Sequence, residues 1–412
     1  MVSLSRILHQ NRLLRATKYH KTMDALFRSQ LLYSPYLDVP FNLKMFLIST
    51  LSLFNLTVVT AKCLVLYDTE SYSDLNFLMG DPTFHLEEAR SFLLLLLFDW
   101  LAGCILQYSI FLVQLAGSST DKYIWLCIGE VLKTGQYKNW GSFHTIVKLF
   151  YRQIKLNCYA LAVGFLFLAN LPAVISAPRR FILPMFIHAL LHSWAAFIAS
   201  STTVNFIMLY ALYVHVWSNY LTHLSSELAK ILIPEKYLLN QHNFSLDSIR
   251  LPSRQIRLTL IHLTDHYQEF IQSYRFYGLR NGLMFMCTFF ANTFVMFLVF
   301  FTPMPSLYKL AIVLCGIFAT LCGQIIQFYS GIYGQSRSDQ AMRIIRKILY
   351  TKSSSRSRLI VLLFSDHFVE RHFFTIYGSL QQSSKNLILT IAESSTLLLL
   401  LITNIGRRIN YS

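Results

Sequence analysis

The sequence predicts an all-α, polytopic membrane protein of seven transmembrane helices, on three observations. Hydrophobic residues make up 54% of the 412 and charged residues only 14%, at a mean hydropathy of +0.45. A water-soluble domain of this size needs far less apolar surface. The apolar residues also gather into stretches long enough to cross a hydrocarbon core of ~30 Å. Finally, the net charge of +16 resides in segments between those stretches. That is a positive-inside pattern, and it argues against a nucleic-acid footprint.

Taken in order, the cytosolic N-terminal segment 1–43 is basic, with Arg6, Arg12, Arg15, Lys18, Lys21 and Arg28. No unbroken apolar core follows this basic start, so no cleavable signal peptide is expected. Pro35 and Pro40 mark a turn-rich lead-in to a first span over 45–67. Segment 68–90 is acidic, with Asp68, Glu70, Asp74, Asp81, Glu87 and Glu88 against Arg90, and Gly80 and Pro82 mark it as a loop. The second span is 91–115. A basic segment leads to the third, 157–176, and the short link containing Arg179 and Arg180 leads to the fourth, 185–214. The fourth helix is expected to continue well past the bilayer, to about 233. The second half of the hydrophilic stretch that follows has helical period from 254 to 279. The fifth and sixth spans are 281–303 and 307–329, with Pro303 and Pro305 in the turn between them. A basic, largely helical segment precedes the last span, 387–405. The whole of 1–412 reads as a single domain.

Lys and Arg counts set the orientation. Four segments (1–43, 117–156, 215–279 and 331–372) hold 26 of them, against 5 on the opposite side. Seven spans then place the N-terminus in the cytosol and the C-terminus outside, with Arg179 and Arg180 a local exception. A G-protein-coupled receptor has the reverse topology. None of the cysteines (Cys63, Cys104, Cys127, Cys158, Cys287, Cys315, Cys322) is placed for an outer-loop disulfide. The sequons at Asn243 and Asn55 fall in the cytosolic loop and inside the first span, where neither is expected to carry glycan.

The last span is not uniformly apolar. At about 100° per residue, Thr390, Glu393, Thr396, Thr403 and Asn404 fall within an arc of roughly 140°, and the run Leu397–Leu401 fills most of the remainder. A polar stripe on a membrane helix either packs inside a bundle or borders water. Glu393 is costly inside a span and points to function, unless it lies near the cytosolic boundary and pairs with Lys385 or a cytosolic Arg.

Other polar residues have two readings each. Asp99, beside Trp100 in the second span, could orient a ligand hydroxyl or amine, or pair within the bundle with His188 or His192. Those histidines are four apart, a spacing that can bind metal. No further ligand lies nearby in sequence, so a metal is not expected and a pocket wall or satisfied bundle histidines are. His262, Asp265, His266 and Glu269 read as a solvated or subunit-packing face. Enzyme motifs are missing: no nucleotide-binding glycine loop, no GxSxG, no HExxH and no histidine-box set. The chain is therefore not expected to be an enzyme or to need a cofactor.

The layout resembles the insect gustatory receptor family: seven spans, a cytosolic N-terminus, long basic cytosolic helices and a short outer tail. The terminal phrase of that family runs F-T-x-x-G-L-F, a mostly apolar stretch, Thr-Tyr, five apolar residues and Gln-Phe. Here Phe374, Thr375 and Gly378 match the opening, Thr396 matches the Thr, and Leu398–Ile402 are the five apolar residues. Leu397 replaces the Tyr, and Thr403 and Asn404 stand in place of Gln-Phe. The resemblance implies a taste receptor that is a tetrameric, ligand-gated, non-selective cation channel. It would sit in the plasma membrane of gustatory neuron dendrites, surrounded by lipid, as a homo- or heterotetramer with other gustatory receptors. The last helix would line the pore, with Glu393, Thr396, Leu400, Thr403 and Asn404 as pore or gate candidates. Thr403 and Asn404 otherwise cap the helix at the outer interface. A small-molecule tastant would enter a pocket in the outer half of each subunit, for which Asp99, Trp100, Asn170, His188, His192, Trp194, Phe289 and Asn292 are candidates. Cytosolic extensions of helices four to six would form an anchor for the tetramer. An odorant-type receptor of the same superfamily is one alternative. A solute transporter is another, although no internal repeat of the kind common in transporters is visible.

Overall fold

A computed structural model describes residues 43–66, 73–84, scattered positions from 86 to 108, 156, 158–232, 253–319, 324–347, 349, 355–370, 375–376, 380–381 and 383–404. The basic N-terminal segment, most of the second span, the segment 117–155, Asn243 and Asp99 lie outside them.

The described chain is almost entirely helical. In order, α1 is Leu43–Leu66, α2 is Asp74–Leu78 and α3 is Cys158–Ser176. After a single 3-10 turn, Arg179–Phe181, α4 runs Ile182–Leu232 and α5 runs Ser253–Phe301. Then come α6, Ser306–Ala319, α7, Ile326–Lys347, and α8, Ser355–Glu370. Two-residue strands β1 (Thr375–Ile376) and β2 (Leu380–Gln381) pair antiparallel before the last helix, α9, Ser384–Asn404. This small ladder is not anticipated by the all-α reading. It falls where the Phe374–Gly378 phrase stands.

Three described helical stretches are long and apolar enough to cross a membrane: Cys158–Ser176, Arg179–Phe197 and Gly278–Phe301, and Leu53–Val65 is a shorter apolar one. Two helices far exceed a bilayer. α4 has 51 residues and α5 has 49, which at 1.5 Å per residue is about 75 Å each, more than twice a ~30 Å core. The expected overrun of the fourth helix is therefore present. The helical stretch 254–279 and the fifth span are joined in one helix. No proline separates them, and Gly278 and Gly282 are the kind of interior glycines a well-packed helix tolerates.

Where α4, α5 and α7 run together beyond the apolar stretches, they form a core of their own. Small buried residues let α4 and α7 approach closely: Ser218 and Ser225 on one, Gly331, Gly334, Ser338 and Ala341 on the other. Aromatic rings fill the rest. Trp217 stacks on Phe270 with centroids 3.9 Å apart, and Tyr213 Oη donates to the Phe270 carbonyl at 3.1 Å. Tyr333 stacks on His215 and donates its hydroxyl to Asn219. Burial, helped by the Arg337 guanidinium, pushes the His215 imidazole down to about 4, so it packs there as a neutral ring.

At the other end of the bundle, residues 73–84, within the stretch read as a loop, pack onto the helices. Ser73 caps α2 by accepting the Asn76 N–H. Phe77 meets Phe84 edge-on at 4.8 Å and stacks on Phe181 at 5.2 Å, above Ala173, Met185 and Ala189. Arg180, one of the two charges that break the positive-inside pattern, pairs with Asp74 at 2.6 Å and lies over the Phe181 ring. Its local partner is thus an acidic residue of the same end.

Candidate functional site: a polar knot, a groove and an open helix face

Two polar regions lie in the apolar part of the bundle, and they differ in kind. The first is a knot beneath the α1–α2 segment. Lys62, on α1, is 2% exposed. Its ammonium contacts His192 Nε2 on α4 and reaches the Gly80 carbonyl at 3.5 Å. On the far side of the same ring, His192 Nδ1 lies 3.2 Å from Asn170 Oδ1. An ammonium can only donate and a carboxamide oxygen can only accept. Those roles suit an imidazole with its proton on Nδ1 and its lone pair toward Lys62. His188, one turn earlier, approaches the Leu78 carbonyl at 3.0 Å through Nε2.

The local sequence explains how α3 reaches into this knot. Pro172 has no N–H, so the Leu168 carbonyl cannot find its usual helical donor. The helix widens into a π-turn, Phe165–Asn170, just before the proline. Ala169 offers its carbonyl to the Tyr308 hydroxyl of α6 at 2.7 Å, and Asn170 turns inward beside it. The Tyr308 hydroxyl also lies against the Pro82 carbonyl, its single proton serving one acceptor at a time. Next to Pro82, Asp81 accepts from the Thr83 N–H at 2.8 Å and hydroxyl at 2.6 Å. Its other oxygen faces Arg90 at 3.4 Å, and both side chains are buried. Gly80 sits at φ +65, with the His188 side chain where a Cβ would go, at 2.2 Å. Only glycine satisfies both conditions.

The second region is α9. Its inner face packs on α5 through Leu397, Leu387 and Leu398. Thr293 and Ser394 hydroxyls meet there at 3.1 Å. Thr390, expected on the polar stripe with Glu393, is on this inner face: it is 4% exposed and bonds to the Asn386 carbonyl. Glu393, Thr396, Leu400 and Thr403 are exposed, Leu400 at 51%. Thr396 and Thr403 bond back to carbonyls of their own helix, at 3.0 Å each. Glu393 forms no ion pair among the described residues, with Lys385 or with any arginine. Asn404 ends the helix.

Between α5, α6 and α9 lies a groove of about 540 Å³, with polar side chains Asn292, Gln324, Ser394 and Ser395 set among Met296, Val299 and Phe300.

The seven pocket candidates among the described residues therefore do not form one site. Asn170, His188 and His192 belong to the knot. Trp100 packs beside the knot's own helix, against Val59, Cys63 and Cys104. Asn292 lines the groove on the far side of α5. Phe289 is buried against Phe285 and Phe328, under α9. Trp194 points away from the bundle, 52% exposed. Among the described residues, no group of three His, Cys, Asp or Glu is arranged to hold a metal, and Cys63, Cys104, Cys158 and Cys287 are in no disulfide.

Lys62, Asp81, Arg90 and Tyr308 are the knot residues that sequence reasoning misses. Lys62 carried a usable signal, since a charge inside a span calls for a partner. Asp81-Pro82-Thr83 is a recognisable Asp-initiated turn. Tyr308 carried none. No protein-family model matches this chain, and no curated protein is similar enough in sequence to count as a relative.

Proposed function

We propose that the chain is a subunit of a ligand-gated cation channel of the insect gustatory-receptor type, with seven spans and a cytosolic N-terminus, in the plasma membrane. A small-molecule tastant would open it, and four copies, identical or mixed with other such receptors, would surround the pore. The observation that carries the reading is the face of α9. One side of that helix is packed on its own chain. The side bearing Glu393, Thr396, Leu400 and Thr403 is open in the single chain. An unpaired carboxylate facing hydrocarbon is costly, whereas one bordering water is not. The long α4, α5 and α7 extensions, with their separate aromatic core, are the kind of element that would hold such subunits together.

Four copies of Glu393 near one axis would concentrate cations. The test is whole-cell recording from cells expressing the full chain, during a screen of sugars, bitter alkaloids and amino acids. A tastant-evoked cation current is expected, and Glu393→Gln should lower it by at least threefold with surface expression unchanged. Substrate uptake without channel-like current would favour the transporter alternative and defeat the proposal.

A further inference from the structure

We propose that the groove between α5, α6 and α9 is a binding site for an uncharged, hydroxyl-bearing lipid that enters from the bilayer. The groove measures about 540 Å³, within the range that takes a drug-sized ligand. Its α5 wall is Asn292, Met296, Val299 and Phe300, which share one helical face. All four fall inside the apolar stretch Gly278–Phe301, so where the groove opens to the outside of the bundle at that depth it meets hydrocarbon.

The lining defines the chemistry. Among the described residues, no Lys, Arg, His, Asp or Glu borders the groove, so nothing in this lining would neutralise a fatty-acid carboxylate or a phosphate. Desolvating such a group there would be costly. Yet the groove is not simply greasy. Two carboxamides, Asn292 and Gln324, enter it from different helices, and neither has a hydrogen-bond partner among the described residues. Ser394 and Ser395 bring hydroxyls from α9. A carboxamide at membrane depth calls for a partner. A hydroxyl can both donate to the amide oxygen and accept from the amide nitrogen, and the apolar wall takes the hydrocarbon body. The helices that wall the groove are also closely packed. At its floor Gly316 lets α6 approach α5 so closely that a Cβ there would come within 2.7 Å of Val295. Sterols and diacylglycerols both have this chemistry.

The inference concerns binding and stands whether or not the chain conducts ions. The test uses the full chain in phosphatidylcholine nanodiscs and three photoreactive probes: a sterol, a diacylglycerol and a fatty acid. Crosslinked peptides are mapped by mass spectrometry. Saturable labelling of 292–300 or 390–398 by the sterol or the diacylglycerol is expected, competed by the same unlabelled lipid, and the probe that succeeds names the source. Ser394→Trp, which fills the groove, should reduce that labelling at least fivefold. Val313→Phe fills the opposite wall and serves the same purpose should the first variant not remain monodisperse. Asn292→Leu should weaken the competition at least threefold. Three results would each overturn the site: equal labelling by the fatty acid, labelling indifferent to the filling variants, or protein–protein crosslinks showing a second copy in the groove.

Discussion

The knot under the α1–α2 segment and the outer face of α9 are both polar regions in an apolar bundle, yet the chain treats them in opposite ways. In the knot, partners come from α1, α3, α4, α6 and the segment after α1, so that Lys62, His192, Asn170, Asp81, Arg90 and Tyr308 are all engaged. On α9 the threonines bond only to their own helix, and Glu393 has no countercharge among the described residues. A polar group satisfied within its own chain holds a fold together. One left open on a finished surface is available to water or to another copy. Substitutions in the first region should therefore damage the protein, and substitutions in the second should spare it.

The largest effect is expected at Gly80. Gly80→Ala combines an L-residue at φ +65 with a Cβ inside the His188 side chain. The conformational cost alone is about 1–2 kcal/mol, and the clash adds to it. Loss of a monodisperse peak in detergent size-exclusion chromatography is expected. A normal peak would mean that this segment is not docked as described. Asp81→Asn comes next, because it leaves the Arg90 guanidinium buried without its carboxylate. Removing one partner of a buried pair costs about 3–5 kcal/mol, so the thermal midpoint should fall by several degrees, and an unchanged midpoint would show that the pair is open to water. Tyr308→Phe removes a single hydroxyl and should cost about 1–3 kcal/mol. The loss should be smaller than that of Asp81→Asn in the same melting assay. Glu393→Gln closes the series, with a stability change of about 0.5 kcal/mol or less and its effect confined to current.

How much of this was legible from sequence follows from how local each feature is. The spans at 157–176 and 281–303 and the overrun of the fourth helix were readable, since apolar run length and helical period are properties of neighbours in the chain. The helical period of 254–279 was readable too, and with no breaker before the fifth span the two run on as α5. The knot was largely invisible. Lys62 meets His192, and Tyr308 meets Ala169, across many residues of chain, and no period announces such pairs. His188 and His192 were singled out as neighbours on one helical face. Their partners turned out to be a lysine, a carboxamide and a carbonyl. The stripe on α9 was legible in angle but not in register. Thr390 lies at the edge of the 140° arc, and packing against α5 drew it inward while leaving Glu393, Thr396 and Thr403 outside. The open groove, with Asn292 on one wall, depends on how three helices splay, which no single helix records.

The claim that matters most is that the Glu393 side of α9 borders water, and cysteine accessibility tests it directly. Single cysteines at Glu393, Thr396, Leu400 and Thr403, and at Ile388 and Leu399 on the apolar part of the same exposed surface, would be treated with a membrane-impermeant maleimide from both sides, in intact cells and in inside-out membrane vesicles, the faster rate being taken at each position. The rates would be compared with that of the unsubstituted protein. The account predicts fast modification at the first four positions and little or none at the other two. Equal rates at all six, or protection of Glu393 and Thr396 alongside Leu399, would place that face in lipid and contradict it.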